Sequence, residues 1–246
     1  MSILADRSFR ILTLADSRRI VPGMQRLRFT GNELHRFDTL KNLHVRLYFP
    51  KQNTIGGSRL SPENHGGASG SEDAFNVRYY TIRTMDARSG WIDIDFVLHE
   101  DAGPGCAFAL NGRPGSVCGM SGPCGLGMKP AKHYLLAGDE TALPAIARIC
   151  ENLPADATGQ VFIRAASCQY DIVAPAGMQI SWLPRSDVSA AQFVERVGDA
   201  AAEAAASTDD YFLWLANPFS QWQEFRDRLS RLPKKRYLNA CYWRDD

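Results

Sequence analysis

The chain has 246 residues, a formal net charge of +1, and 45% hydrophobic residues. That length fits one large or two small domains with real cores. The near-cancelled charge argues against a general nucleic-acid binder, which would be strongly basic, yet leaves room for a local basic pocket. No apolar run is long enough to span a bilayer, and the opening Met1-Ser2-Ile3-Leu4-Ala5-Asp6-Arg7 lacks a signal-peptide core, so a soluble cytoplasmic protein is expected. Cys106, Cys118, Cys124, Cys150, Cys168 and Cys241 form no C-x-x-C pair and no iron–sulfur run. Reduced, mostly buried thiols follow. No coiled-coil pattern or other assembly signature is present, and a monomer is expected.

In chain order, the first half reads as strands at residues 10–14, 24–29, 43–49, 77–84, 91–98 and 116–120. Six short strands without a long intervening helix predict a closed antiparallel β-barrel. Within that run, residues 51–76 are polar and punctuated by Gly56-Gly57 and Gly66-Gly67. They carry too little apolar surface to pack and read as a tolerated insertion. A domain boundary falls near Met128-Lys129-Pro130, dividing the chain into residues 1–129 and 130–246. Beyond it, strands at 133–137, 160–165, 179–183, 211–216 and 237–243 alternate with helical patterns. Leu143, Ile146, Ile149 and Leu153 mark the first helix, Phe193, Val194 and Val197 the second, and Trp222, Phe225 and Leu229 the third. Alternation of this kind predicts an α/β domain with a parallel sheet.

The chemistry concentrates in Arg78-Tyr79-Tyr80-Thr81-Ile82-Arg83. Strand alternation puts Arg78, Tyr80 and Ile82 on one face and Tyr79, Thr81 and Arg83 on the other. A flavin dinucleotide calls for these groups: a guanidinium for its pyrophosphate, a flat ring for its isoalloxazine, a small polar group near N5. Further on, Gly138-Asp139-Glu140-Thr141 follows a buried apolar strand and opens a helix. That is the strand–turn–helix context of a pyridine-nucleotide site, with Thr141 a pyrophosphate ligand and Asp139 a ligand or a helix cap.

The order R-x-Y-T, then Asp95-Phe96-Val97-Leu98-His99, Gly103-Pro104-Gly105-Cys106-Ala107, Gly122-Pro123-Cys124-Gly125, Gly138 to Ala145, Ser181-Trp182-Leu183-Pro184-Arg185 and Tyr242-Trp243-Arg244 resembles the siderophore-interacting protein family over nearly the whole chain. These are FAD-dependent ferric-siderophore reductases with a ferredoxin-reductase-like fold. The resemblance implies that Arg78 contacts the FAD pyrophosphate, that Tyr80 lies against the isoalloxazine and that Thr81 bonds near N5. It makes Arg83 a ligand or a barrel ion-pair partner. Val97, Leu98 and His99 become a second flavin-contacting strand, with His99 a structural histidine, a proton relay or an adenine-side contact, and Gly103, Cys106 and Ala107 the start of a phosphate-binding helix. No catalytic acid or base is required, and no metal site in the protein.

Several positions depart from the family pattern. Cys106 and Ala107 stand where a hydroxyl and an often basic residue are usual, Cys124 where arginine is common, and Asn217-Pro218 where Gly-Glu is frequent. For the electron donor, NADPH or NADH, no carboxylate follows the second strand of the α/β domain until Asp171. Arg164, Ser167 and Arg185 are left to meet a 2′-phosphate or to act as solvated charges. Trp243 or Tyr242 either covers the flavin or completes the last strand. Lys129, Lys132, Lys234, Lys235 and Arg236 either draw an anionic ferric chelate towards the flavin or solvate the surface. The expectation is a reductase passing electrons from NAD(P)H through FAD to a ferric siderophore. A ferredoxin-driven reductase and a non-catalytic siderophore-binding protein are the rivals.

Overall fold

The computed structural model describes residues 9–51, 75–99, 103–166 and 169–245. Most of the polar insertion, Ser167 and the first residues of the chain lie outside that set. The chain divides into two compact units, Met1–Gly127 and Met128–Asp246.

The first unit is a closed antiparallel barrel with strand order β1-β2-β5-β4-β3-β6. Its strands are β1 (Arg10–Val21), β2 (Met24–Thr30), β3 (His44–Pro50), β4 (Phe75–Asp86), β5 (Trp91–Val97) and β6 (Val117–Cys124). The period-two pattern sends Leu12, Leu27, Phe29, Leu47, Ile92, Ile94 and Phe96 into one core. Helix α1 (Pro104–Asn111) joins that core through Phe108 and Ala109. On the opposite face of β2 and β5, Arg26 lies in register with Asp95 and Arg28 with Asp93. Both guanidinium forks bind bidentately, at 2.6 and 2.7 Å and at 2.8 and 2.8 Å. Trp91 flanks the second pair, 3.8 Å beneath the Arg28 guanidinium.

β1 runs well past the expected residues 10–14, because Ser17 to Val21 pair with Leu27 to Met24 across a hairpin turn. Asp16-Ser17-Arg18-Arg19 reads as a loop by composition, but cross-strand pairing overrides that preference. The turn is Pro22-Gly23, with Gly23 at φ 78°, a conformation open to glycine at little cost.

The second unit is a parallel sheet of five strands, order β11-β10-β7-β8-β9. They are β7 (His133–Gly138), β8 (Thr158–Ala165), β9 (Gly177–Pro184), β10 (Tyr211–Pro218) and β11 (Tyr237–Trp243). Helices α2 (Leu143–Glu151), α3 (Ala190–Ser207) and α4 (Phe219–Arg228) connect them. Ser189 and Gln192 form a reciprocal capping box that starts α3. Its stripe of Phe193, Val194, Val197, Ala201 and Ala204 packs with Leu213, Leu215 and Phe225. The strand order reverses between β7 and β10, so the switch point lies at their C-terminal ends, where open parallel sheets bind ligands.

Candidate functional site

In the barrel, β4 and β5 part. Their pairing begins only at Ile82↔Ile94. Upstream, residues 78–81 of β4 pair with β3 alone, from Leu47↔Arg78 to His44↔Thr81. Val97 of β5 pairs with Met24 of β2 instead. Among the described residues, one backbone edge of the Arg78–Thr81 motif is therefore left without a strand, which offers donors and acceptors to a ligand. Between Ile82 and Thr84 the register slips, a bulge that interrupts alternation and leaves Thr81, Ile82 and Arg83 all buried. The strict two-face division expected of this motif thus holds only up to Thr81.

Around that edge the expected residues gather. The Arg78 guanidinium is exposed and donates to the Val77 carbonyl at 2.8 Å. Tyr80 turns into the aromatic interior, 4.3 Å from Phe96 and 6.3 Å from Phe49 between ring centroids. Its hydroxyl rests on Gly105 of α1, where an added Cβ would come within 1.8 Å of it. Burial, and then neighbouring Cys106, push the phenol's pKa up, so it stays a donor. Leu98 donates its N–H to Gly23 at 2.8 Å. The exposed His99 offers its carbonyl to the Cys106 thiol at 3.7 Å. α1 starts at Gly103 with no side-chain cap, so the first-turn N–H groups of Gly105 and Cys106 have no intrahelical acceptor. Ala107 donates to Gly103. β3, β6 and residues 75–85 of β4 contain no Asp or Glu. An unpaired strand edge, a helix N-terminus and an exposed arginine without a competing carboxylate in its strands fit a dianionic pyrophosphate cofactor.

Paired with Thr81 across the strands, His44 is half-buried and its pKa is lowered to about 4 by desolvation. The sign is that of a base kept neutral by folding. Below pH 6.5 the unfolded chain takes up a proton that the folded chain refuses until about 4, so stability falls across that window. The full loss is about 3 kcal/mol. Urea midpoints measured from pH 7 down to 4 are expected to drop accordingly, and His44→Gln to flatten the drop. An unchanged slope in H44Q would assign the acid sensitivity elsewhere.

In the second unit, the β7–α2 turn sits at the switch point. Gly138 is tightly enclosed: an added Cβ would lie 2.4 Å from the Ala142 Cβ and 2.6 Å from the Ala216 carbonyl oxygen. Asp139 is buried, and burial raises its pKa against the pull of its donors. Its Oδ1 accepts from the Thr141 N–H at 2.8 Å and from the Thr141 hydroxyl. Its Oδ2 accepts from the Trp243 indole at 2.8 Å. Asp139 therefore braces the turn rather than capping α2, which has no side-chain cap. Trp243, at the end of β11, reaches past β10 to the end of β7. Asn217, at the C-terminal end of β10, is fully buried, and neither its Oδ1 nor its Nδ2 has a hydrogen-bond partner among the described residues.

Glu140 is the residue that sequence reasoning missed. Its Oε1 accepts from the Ala166 N–H at 2.6 Å and from Arg185 Nε at 3.0 Å, and the Arg185 terminal nitrogen closes on Oε2. Burial alone would raise the Glu140 pKa, but these donors hold it below the ordinary value. Arg164 donates through Nε to the Val188 carbonyl at 2.7 Å. Its pKa is lowered by burial and then by Arg185. By contrast, Lys132 precedes β7, and Lys234, Lys235 and Arg236 precede β11, at the opposite end of the parallel sheet. These cations do not join the β7–α2 turn. Lys234 and Arg236 lie over Tyr237 and Tyr211 at 5.3 and 5.6 Å.

A family model described as "Siderophore-interacting FAD-binding domain" matches residues 13–126, and one described as "Siderophore-interacting protein" matches residues 131–246. The chain belongs to the siderophore-interacting protein family. The barrel is that family's FAD-binding domain. The ferric vibriobactin reductase ViuB of Vibrio cholerae serotype O1 is 34% identical over 181 residues, 72% of this chain and 66% of ViuB. The chain thus spans just under two thirds of that relative. Rv2895c of Mycobacterium tuberculosis is 30% identical over 220 residues, 85% of this chain and 77% of its own. Among solved structures, the siderophore-interacting protein SipS from Aeromonas hydrophila superposes with a TM-score of 0.79 at 27% identity, covering 98% of this chain and 93% of SipS. No helix among the described residues is long and apolar enough to cross a membrane.

Proposed function

We propose that this protein is a ferric-siderophore reductase, using FAD to pass electrons from NAD(P)H to an Fe(III)–siderophore chelate and release Fe(II). The observation that carries the reading is the parted β4–β5 edge beside α1, in a barrel matched by the family's FAD-binding model. Held there, FAD would supply the exchange between a two-electron donor and a one-electron acceptor, so that one NAD(P)H would reduce two Fe(III) and release one proton. Arg78 neutralises the pyrophosphate, helped by the α1 N–H groups. Tyr80 holds its phenolic proton and, with Phe49 and Phe96, keeps water from that side of the site. Thr81 supplies the small polar group near N5, and Gly138 to Thr141 form the nucleotide turn. Reduction frees the iron because hard oxygen-rich chelators hold Fe(II) more weakly than Fe(III). A cytoplasmic location goes with this reading.

Asn217 supports the donor side. A buried amide without partners is costly, and the switch point is where a nicotinamide carboxamide would meet it. Asn217→Leu is expected to leave stability unchanged or raise it by about 1 kcal/mol. The same change should raise the NAD(P)H concentration needed to reduce the flavin, while reduction by dithionite is untouched. Thermal melts and anaerobic titrations measure both. Pro218, standing where a glutamate is frequent, is what favours a second reading, in which reduced ferredoxin replaces the nucleotide.

The deciding experiment is anaerobic visible spectroscopy of the FAD-loaded protein. NADH or NADPH should bleach the flavin. Ferric tris(2,3-dihydroxybenzoate) should restore the colour, with Fe(II) appearing in a chromogenic chelator. Bleaching by ferredoxin alone would support the second reading. A protein that takes up no FAD would overturn both.

A further inference from the structure

Sequence order alone leaves the end of β8 without a carboxylate before Asp171, with Arg164 and Arg185 free for a 2′-phosphate. Folding changes both halves of that statement. Glu140 belongs to the turn after β7, yet its carboxylate sits at the end of β8, bonded to the N–H of Ala166, the first residue past that strand. In open parallel sheets that bind dinucleotides, a carboxylate at the end of the second strand accepts from the adenosine ribose 2′-hydroxyl, whereas a nearby arginine accommodates a 2′-phosphate. β8 is the second strand of this sheet in chain order.

The arginines, meanwhile, spend donors on acceptors within the protein. Arg185 commits its Nε and one terminal nitrogen to Glu140 as a fork, and that terminal nitrogen stands 3.7 Å from Asp139. Arg164 spends its Nε on the Val188 carbonyl. Among the described residues, two cations thus face two carboxylates, Asp139 and Glu140, and the cluster shows no surplus positive charge there for a phosphate dianion. Of the roughly four lone-pair sites on the Glu140 carboxylate, three are met by the Ala166 N–H and the two Arg185 nitrogens, which leaves one on Oε2 to accept a ribose hydroxyl.

We propose that Glu140, oriented by Arg185 and the Ala166 amide, is the adenosine-ribose acceptor that makes this protein selective for NADH over NADPH. The proposal rests on the reading of the β7–α2 turn as the nucleotide site.

It is tested by calorimetric titration of the FAD-loaded protein with ADP-ribose and with its 2′-phosphorylated form, beside anaerobic flavin reduction by NADH and NADPH. The fragments carry no nicotinamide, so their binding is read without hydride transfer. The wild type is expected to favour ADP-ribose by about tenfold or more, the loss set by placing a dianion against a carboxylate. Glu140→Gln should lower that ratio by about tenfold, through weaker ADP-ribose binding and a released Arg185. Arg185→Lys, which keeps the charge but loses the fork, should lower it less. Preference of the wild type for the 2′-phosphorylated fragment would overturn the proposal, as would an unchanged ratio in folded E140Q. If E140Q does not fold, the wild-type ratio and R185K decide. Failure of both fragments to bind, with neither dinucleotide bleaching the flavin, would overturn the nucleotide-site reading itself.

Discussion

Arg78→Ala is expected to strip FAD from the protein without unfolding the barrel. The guanidinium is exposed, bonds only to the carbonyl of its own neighbour Val77, and makes no ion pair among the described residues. Removing such a side chain changes folding stability by no more than about 0.5 kcal/mol. A charge-assisted bond to a pyrophosphate, by contrast, contributes about 2–3 kcal/mol. FAD affinity should therefore fall by roughly 30- to 150-fold. Flavin content after gel filtration and titration of the apoprotein with FAD measure the loss, while far-ultraviolet melting checks the fold. Arg78→Lys restores charge but not a two-pronged contact, and should recover only part of the affinity. Full flavin retention in R78A would move the pyrophosphate contact off this strand.

Gly138→Ala should have the opposite signature: FAD retained, nucleotide response lost and the second unit destabilised. The added methyl would press on the Ala216 carbonyl and the Ala142 methyl. The first is backbone of a central strand and cannot rotate away; the second belongs to the turn leading into α2. Strand β10 or that turn must shift, an overpacking cost of about 3 kcal/mol. For a unit of this size that is a fall of roughly 10 °C in melting temperature. Because Asp139, Glu140 and Thr141 follow directly, the shift also misplaces the turn, and flavin reduction by pyridine nucleotide should fall by at least about tenfold. Differential scanning calorimetry and stopped-flow bleaching report the two effects. Wild-type bleaching kinetics in G138A would remove this turn from the nucleotide site.

Much of the architecture follows from local rules. The alternation in Ile92-Asp93-Ile94-Asp95-Phe96 puts its isoleucines in the core and its aspartates on the arginines of β2. The stripe of Phe193, Val194 and Val197 forms the buried face of α3, as its spacing demands. The break of β4 from β5 was not legible, because nothing in residues 78–81 marks which of two strand edges finds a partner. Nor was the bulge at Arg83, which follows from register against β5.

By itself the sequence determined the six-strand barrel, the alternating α/β half, the motif Arg78-Tyr80-Thr81 and the turn Gly138-Asp139-Glu140-Thr141. Each of these is written in periodicity or turn chemistry among near neighbours. Only the tertiary structure decided what those groups touch: Tyr80 on Gly105, Trp243 on Asp139, Glu140 on Arg185 and Ala166. Such partners stand 25 to 104 residues apart along the chain. They meet because parallel strands bring their C-terminal ends to one edge of a sheet, and because a helix closes on a barrel, neither of which local spacing encodes.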